Sequence, residues 1–224
     1  MTSRPVRTAV RGWIYDRAIT PLTAGWYREV LSRLPCGSRL LDVGIGTGGA
    51  LVRCAALVRS RGIQVVGIDV DHDYLRRCRV NLARAGLTDH VRVCESSVYE
   101  HRGGPYDAAY FSASLMLLPD PVGAMRQVAT QLTPDGAVYF TQTFHSRRSW
   151  WRERVKPAIR YVTSIDFGRV TYEDEFRREV VEAGLRLDDL VVLHAGRHAR
   201  FVLAVARPRV APGRARALSE PRLG

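Results

Sequence analysis

Lysine is almost absent from this chain of 224 residues: of its 34 basic residues, only Lys156 is not arginine. Against 22 acidic residues the formal net charge is +12, carried by guanidinium groups that crowd the two ends, at Arg4, Arg7 and Arg11 and again from Arg207 to Arg222. Charge placed in this way describes solubility and attraction rather than a site, so a nucleic-acid substrate is its weaker reading. Cysteine is also scarce. Cys36, Cys54, Cys78 and Cys94 form no Cys-x-x-Cys pair and have no histidine at ligand spacing, which argues against a metal site. They read instead as small buried hydrophobes, with Cys36 in a turn. No apolar run nears the roughly 18 to 20 residues that a membrane-crossing helix needs, and no apolar segment of the signal-peptide kind lies near the start. The expected location is cytoplasmic, with the Arg-rich, acid-free residues 1–15 leaving a mitochondrial targeting segment as the alternative.

What is present is enough apolar residue, 46%, for one core, and a regular alternation of two periodicities. Residues 1–11 read as a basic disordered arm, residues 12–206 as one domain and residues 207–224 as a disordered Arg/Pro-rich tail. One or two helices, broken at Pro21, are expected over Trp13 to Leu34. Strands at 38–43, 63–68, 90–95, 106–112 and 136–143 then alternate with helices at 49–61, 72–86 and 121–132. That order implies right-handed crossovers and a parallel sheet with helices on both faces. Asp71 is a suitable N-cap, and Thr133-Pro134-Asp135-Gly136 a turn into the fifth strand. Residues 144–170 are polar, aromatic and irregular, and too long for a simple connector, so they read as a cap or insertion. A helix at 172–184 and two strands, 186–194 and 198–206, around Ala195-Gly196-Arg197 close the pattern.

Leu40-Leu41-Asp42-Val43-Gly44-Ile45-Gly46-Thr47-Gly48-Gly49 joins the end of the first buried strand to a glycine-rich loop and a helix N-terminus. Such a loop brings bare backbone close to a ligand. Asp42 narrows the choice of ligand. A carboxylate just before the first glycine repels the pyrophosphate of a dinucleotide and favours a cationic group. Asp69 ends the second strand about 20 residues past the loop, where a carboxylate can take both hydroxyls of a ribose, and Val70 beside it can pack on an adenine face.

The Asp-x-Gly-x-Gly-x-Gly run with Asp69 at this spacing resembles the first motifs of the class I, Rossmann-like methyltransferases that use S-adenosyl-L-methionine. The resemblance implies an α/β fold: a seven-stranded, mostly parallel sheet with helices on both faces and an antiparallel C-terminal hairpin. It implies that Asp42 holds the ammonium group of the methionine moiety directly or through water. It also implies that Gly44, Ile45, Gly46, Thr47 and Gly48 wrap that moiety, that Asp69 clamps the ribose, and that Val70, Ser96, Ser97 and Val98 surround the adenine. Where family members commonly carry an Asp for the adenine amino group, this chain has Ser97, a weaker acceptor. Ser112, at the end of the fourth strand, falls where the transferable methyl should lie.

The same resemblance bears on the methyl acceptor by what is missing. No Asn-Pro-Pro-Tyr or Asp-Pro-Pro-Tyr follows the fourth strand, as in amino-methyltransferases acting on DNA. Neither the magnesium-binding acids of catechol methyltransferases nor paired glutamates for a guanidinium are present. What is left is similar to the small-molecule and lipid-like branch, in which a Tyr-Asp near the N-terminus covers the cofactor. Tyr15 of Tyr15-Asp16 can fill that role or simply pack in a helix. His145 can act as a general base, or be an ordinary loop residue. Arg147, Arg148, Trp150, Trp151, Arg152, Arg154 and Lys156 form the densest basic and aromatic cluster. It suits an anionic or amphiphilic acceptor, peripheral membrane contact through Trp150 and Trp151, or a solvated face. The rival readings are a nicotinamide-dependent dehydrogenase, a silent S-adenosylmethionine-binding or partner-binding domain, and an RNA or protein methyltransferase.

Overall fold

A strand covered on both faces is built from an unbroken apolar run rather than an alternating one. β1 (Arg39–Val43) is such a strand, buried from its second residue onward. The computed structural model, which describes residues 20–145, 171–196 and 199–209, places it near the middle of one sheet. Around it lie β2 (Gln64–Asp69), β3 (Val91–Glu95), β4 (Tyr106–Ser112), β5 (Leu132–His145), β6 (Leu185–Ala195) and β7 (Ala199–Pro208) in the order β3-β2-β1-β4-β5-β7-β6. The first five strands run parallel, and β7 pairs antiparallel with both β5 and β6. The strand order reverses between β1 and β4, so a crevice opens at their carboxyl ends, where the glycine loop leaves β1.

The helices are α1 (Thr20–Arg33), α2 (Gly49–Val52), α3 (Ala55–Ser60), α4 (His72–Arg84), α5 (Pro121–Ala129) and α6 (Glu173–Glu182). One core packs Val30 and Leu31 of α1, Val58 of α3 and Leu75, Cys78 and Leu82 of α4 against Leu40, Val65, Ala108 and Tyr110. The other packs Met125 and Val128 of α5 and Phe176 and Val180 of α6 against Leu41, Phe111, Phe140 and Phe144. Phe140 is its centre, stacked on Phe111 at 5.3 Å and met edge-on by Phe176 at 5.3 Å.

Several sequence expectations are corrected. The helix expected over 49–61 is two short pieces, α2 and α3, separated at Arg53-Cys54. Pro21 falls in the first turn of α1, the described one of the one or two helices expected there, where a missing N–H costs nothing. Thr133 to Gly136 do not precede β5 but lie within it, as an irregularity in the pairing with β4 between Tyr106 and Ala108. β5 runs on to His145, so the first two residues of the expected cap are strand, and β7 extends into the expected tail as far as Pro208. The arm at 1–11, Tyr15-Asp16, the basic cluster from Arg147 to Lys156 and Arg197-His198 lie outside the described residues.

Asp71 is the N-cap of α4, its side chain accepting from the Tyr74 amide at 3.0 Å. Asp71→Ala is expected to lower stability by about 1 kcal/mol, a fall in Tm of about 2–4 °C that calorimetry resolves.

Candidate active site

The glycine loop is shaped by what lies beneath it. Gly44 and Gly48 have φ of 80° and 68°, a region that residues with a Cβ avoid. At both, a Cβ would also collide with a neighbour: 2.8 Å from the Ser114 Cβ at Gly44, and 2.7 Å from the Cys78 Sγ at Gly48. Gly44 and Ile45 donate to the Ile68 carbonyl at 2.8 and 3.2 Å, and Gly46 donates to Asp69 Oδ2 at 2.9 Å. The loop is thus tied to the end of β2.

Asp42 lies under this loop with 0% of its surface exposed. Tyr27, from α1, donates to its Oδ2 at 2.8 Å, while Oδ1 is buried with no hydrogen-bond partner among the described residues. Burial pushes the carboxyl up to about 7; the Tyr27 hydrogen bond opposes this, and the charge of Asp69 adds to it. An unpaired buried carboxylate oxygen is costly, and a cation brought close relieves that cost. The Ser112 hydroxyl lies beside both the Tyr27 and Tyr110 phenols, and Tyr110 meets Thr141 Oγ1 at 3.0 Å. A polar strip therefore runs from Asp42 across the ends of β4 and β5.

Asp69 is partly buried. Its two oxygens accept from the Gly46 and Asp71 amides, each at 2.9 Å, and a carboxylate oxygen so engaged keeps a second lone pair. Next to it Val70 is 71% exposed, a large apolar side chain presented to solvent at the carboxyl edge of the sheet. Ser97 Oγ accepts from the Tyr99 amide at 3.2 Å, and Ser96 Oγ donates to the Ser97 carbonyl at 3.1 Å. Three of the expected site residues turn away from the crevice or are covered. Ile45 and Val98 bury their side chains in the two cores, and Thr47 is buried with its carbonyl accepting from Asn81 at 3.0 Å. His145 lies at the far end of β5, its amide donating to Thr171 at 3.2 Å. There it borders an open cavity of about 700 Å³, together with Tyr172, Glu173, Arg177 and Arg200. Ser112 pairs with Thr141, so His145 is about 13 Å further along β5 at the usual rise per residue. Among the described residues no group of three or more His, Cys, Asp or Glu could hold a metal ion.

A buried, half-satisfied carboxylate at the head of a glycine loop, a second carboxylate at the end of the next strand and an exposed apolar residue beside it fit a cationic nucleoside. A family model for a methyltransferase domain matches residues 40–136, the span that carries all three. This span is a methyltransferase domain of the kind that uses S-adenosyl-L-methionine. Its most similar curated relatives include a ubiquinone biosynthesis O-methyltransferase of Acinetobacter baylyi, 26% identical over 184 residues, 79% of this chain and 74% of that relative. Among solved structures, the methyltransferase superposes on geranyl diphosphate C-methyltransferase from Streptomyces coelicolor, solved with Mg2+, geranyl diphosphate and S-adenosyl-L-homocysteine. The TM-score is 0.66 at 15% identity, over 84% of this chain and 77% of that one. It superposes equally on the [4+2]-cyclase SpnF, with TM-score 0.66 at 20% identity, over 88% and 82% of the two chains. The fold alone therefore does not dictate the reaction.

Three residues of the methyltransferase, Tyr27, Gly67 and Gln142, were not singled out from sequence. Tyr27 falls in an apolar helical pattern that reads as core, and nothing in that pattern says its hydroxyl meets Asp42. Gly67, inside β2, makes room for Ile45, whose Cδ1 lies 2.3 Å from where a Cβ would be; a glycine within a strand is the available signal. Ala113 follows Ser112 with φ of 53° and donates to the Thr141 carbonyl at 3.0 Å. Gln142, 2% exposed, has its Oε1 without a partner among the described residues.

Proposed function

We propose that the enzyme methylates a hydroxyl group of an amphiphilic small molecule, and that the crevice between β1, β2 and β4 holds the donor. The observation that carries the donor half is Asp42, fully buried with one oxygen unpaired at the head of the glycine loop. It neutralises the donor's ammonium group, whether by contact, through water or across a few ångström of low-dielectric protein. Gly44, Gly46 and Gly48 let the backbone approach the methionine moiety. Asp69 takes the ribose hydroxyls with its remaining lone pairs, Val70 covers one adenine face, and Ser96 and Ser97 border the adenine edge.

When bound, S-adenosyl-L-methionine supplies an electrophilic methyl on a sulfonium. The chain's own contribution is to hold the acceptor in line at Ser112 and to keep water out. His145, about 13 Å along β5 from Ser112, does not reach a nucleophile held there. It belongs to the acceptor's side of the site, with the cavity beside it receiving the rest of the molecule. A cavity of 700 Å³ suits a small molecule. The hydroxyl and the amphiphilic character are supported by the relatives, ubiquinone biosynthesis O-methyltransferases and a geranyl diphosphate C-methyltransferase. An anionic acceptor draws support from Arg147 and Arg148, and membrane contact from Trp150 and Trp151, all in the sequence alone. Arg177 and Arg200 at the cavity already pair with Glu173.

The test is a labelled-methyl screen of phenols and quinols with and without isoprenoid tails and carboxylates, beside RNA and peptides. Turnover is expected with tailed phenols. Turnover confined to RNA or peptides would replace the acceptor class, and donor binding with no turnover on any of these would favour a silent binding domain.

A further inference from the structure

We propose that Tyr27 is a positioning residue for the methyl donor: by tying Oδ2 of Asp42, it fixes Oδ1 as the acceptor offered to the donor's ammonium group. The proposal rests on the assignment of the donor to the crevice above Asp42. Three observations support it. Tyr27 and Asp42 are both buried, so their 2.8 Å hydrogen bond is not shared with water. Among the described residues the other carboxylate oxygen has no partner at all. Tyr27 is itself held on two sides, meeting Tyr110 edge-on at 5.0 Å and lying against the Ser112 hydroxyl. A phenol locked in this way leaves the carboxylate one orientation.

The groups that face Asp42 are Tyr27 from α1, Tyr110 from β4, Asp69 from β2 and Cys78 from α4. None is cationic. Burial raises Asp42 and the Tyr27 hydrogen bond lowers it, so the carboxylate is ionised in part near neutrality because this phenol is present. A cationic donor binds the ionised form, and donor affinity is therefore expected to fall about tenfold per pH unit below about 7.

The measurement is calorimetric titration of the full chain and of Tyr27→Phe with S-adenosyl-L-methionine and with 5′-methylthioadenosine, which shares the nucleoside but has no ammonium group, from pH 6 to 9. Phenylalanine keeps the ring and its packing and removes only the hydroxyl. S-adenosyl-L-methionine is expected to bind Tyr27→Phe about ten- to a hundredfold more weakly at neutral pH, with 5′-methylthioadenosine unchanged and the midpoint of the affinity–pH curve about one unit higher. Equal loss for both ligands, no loss for either, or an unmoved midpoint overturns the proposal. Asp42→Asn separates the two levels of inference. If it binds S-adenosyl-L-methionine like the parent, the assignment of the donor site has failed, whatever Tyr27→Phe shows.

Discussion

Asp42→Asn is expected to raise the melting temperature of the ligand-free enzyme at pH 8 while removing most of its affinity for S-adenosyl-L-methionine. Asp42 is wholly buried and its folded-state carboxyl lies near 7 rather than the usual 3.8. Between those values the folded chain holds a proton that the unfolded chain has released, so stability is lost as pH rises through that window. Above about 7 the whole penalty is present, at most on the order of 4 kcal/mol for a shift of this size. Asparagine has the shape of the neutral acid, accepts the Tyr27 hydrogen bond, and carries no charge to bury. The gain should therefore appear at pH 8 and shrink toward pH 5, where the parent is already protonated. Binding moves the other way, because the ammonium group loses its counter-charge. Leaving one buried charge unpaired costs about 3–5 kcal/mol, at least a hundredfold in affinity. Scanning calorimetry at the two pH values, with and without donor, reads both effects. A variant equally destabilised at pH 5 and pH 8 would show that Asp42 is not a buried charge in the free enzyme.

That trade between stability and function explains which parts of the site can be read from sequence. Asp42, the glycines and Asp69 are legible because backbone approach and charge require those residue types at that spacing, and the succession of strands and helices follows from alternating periodicities. Tyr27 is not legible, because its ring belongs to the apolar stripe of α1 and only its hydroxyl belongs to the site. Ile45 was expected at the ligand from its place in the loop, but its side chain finds the space left by Gly67 and joins the core. Position in a motif says where the backbone goes, and packing decides where the side chain goes. The extension of β5 to His145 was hidden for a related reason. Strand beyond the level of Ser112 is held by β7, whose residues Ala199 to Phe201 pair with Thr143 to His145, and that pairing is far apart in sequence.

Gly44→Ala should damage the donor site more than Gly46→Ala, although both glycines have positive φ. At Gly46, with φ of 58°, a Cβ meets nothing within 4 Å, so only the backbone term applies, about 1–2 kcal/mol. At Gly44 the added Cβ would sit 2.8 Å from the Ser114 Cβ. Ser114 has little room to yield, because its hydroxyl donates to the Val43 carbonyl at 2.5 Å and it follows Ala113 in its left-handed conformation. Overpacking of this kind adds about 1–3 kcal/mol, for a total of about 2–5 kcal/mol. The loop relieves it by lifting from β4, which draws the Gly46 amide from Asp69 and opens the ribose end of the site as well. Thermal unfolding should thus report a larger fall for Gly44→Ala, and donor affinity should fall with it. Ser114→Gly beside Gly44→Ala removes the overlap but not the backbone cost, so the double variant is expected to recover to about the level of Gly46→Ala. Strict additivity of the two changes would mean that the loop does not rest on Ser114. It would then be the left-handed backbone, and not the close approach to β4, that requires glycine at the end of β1.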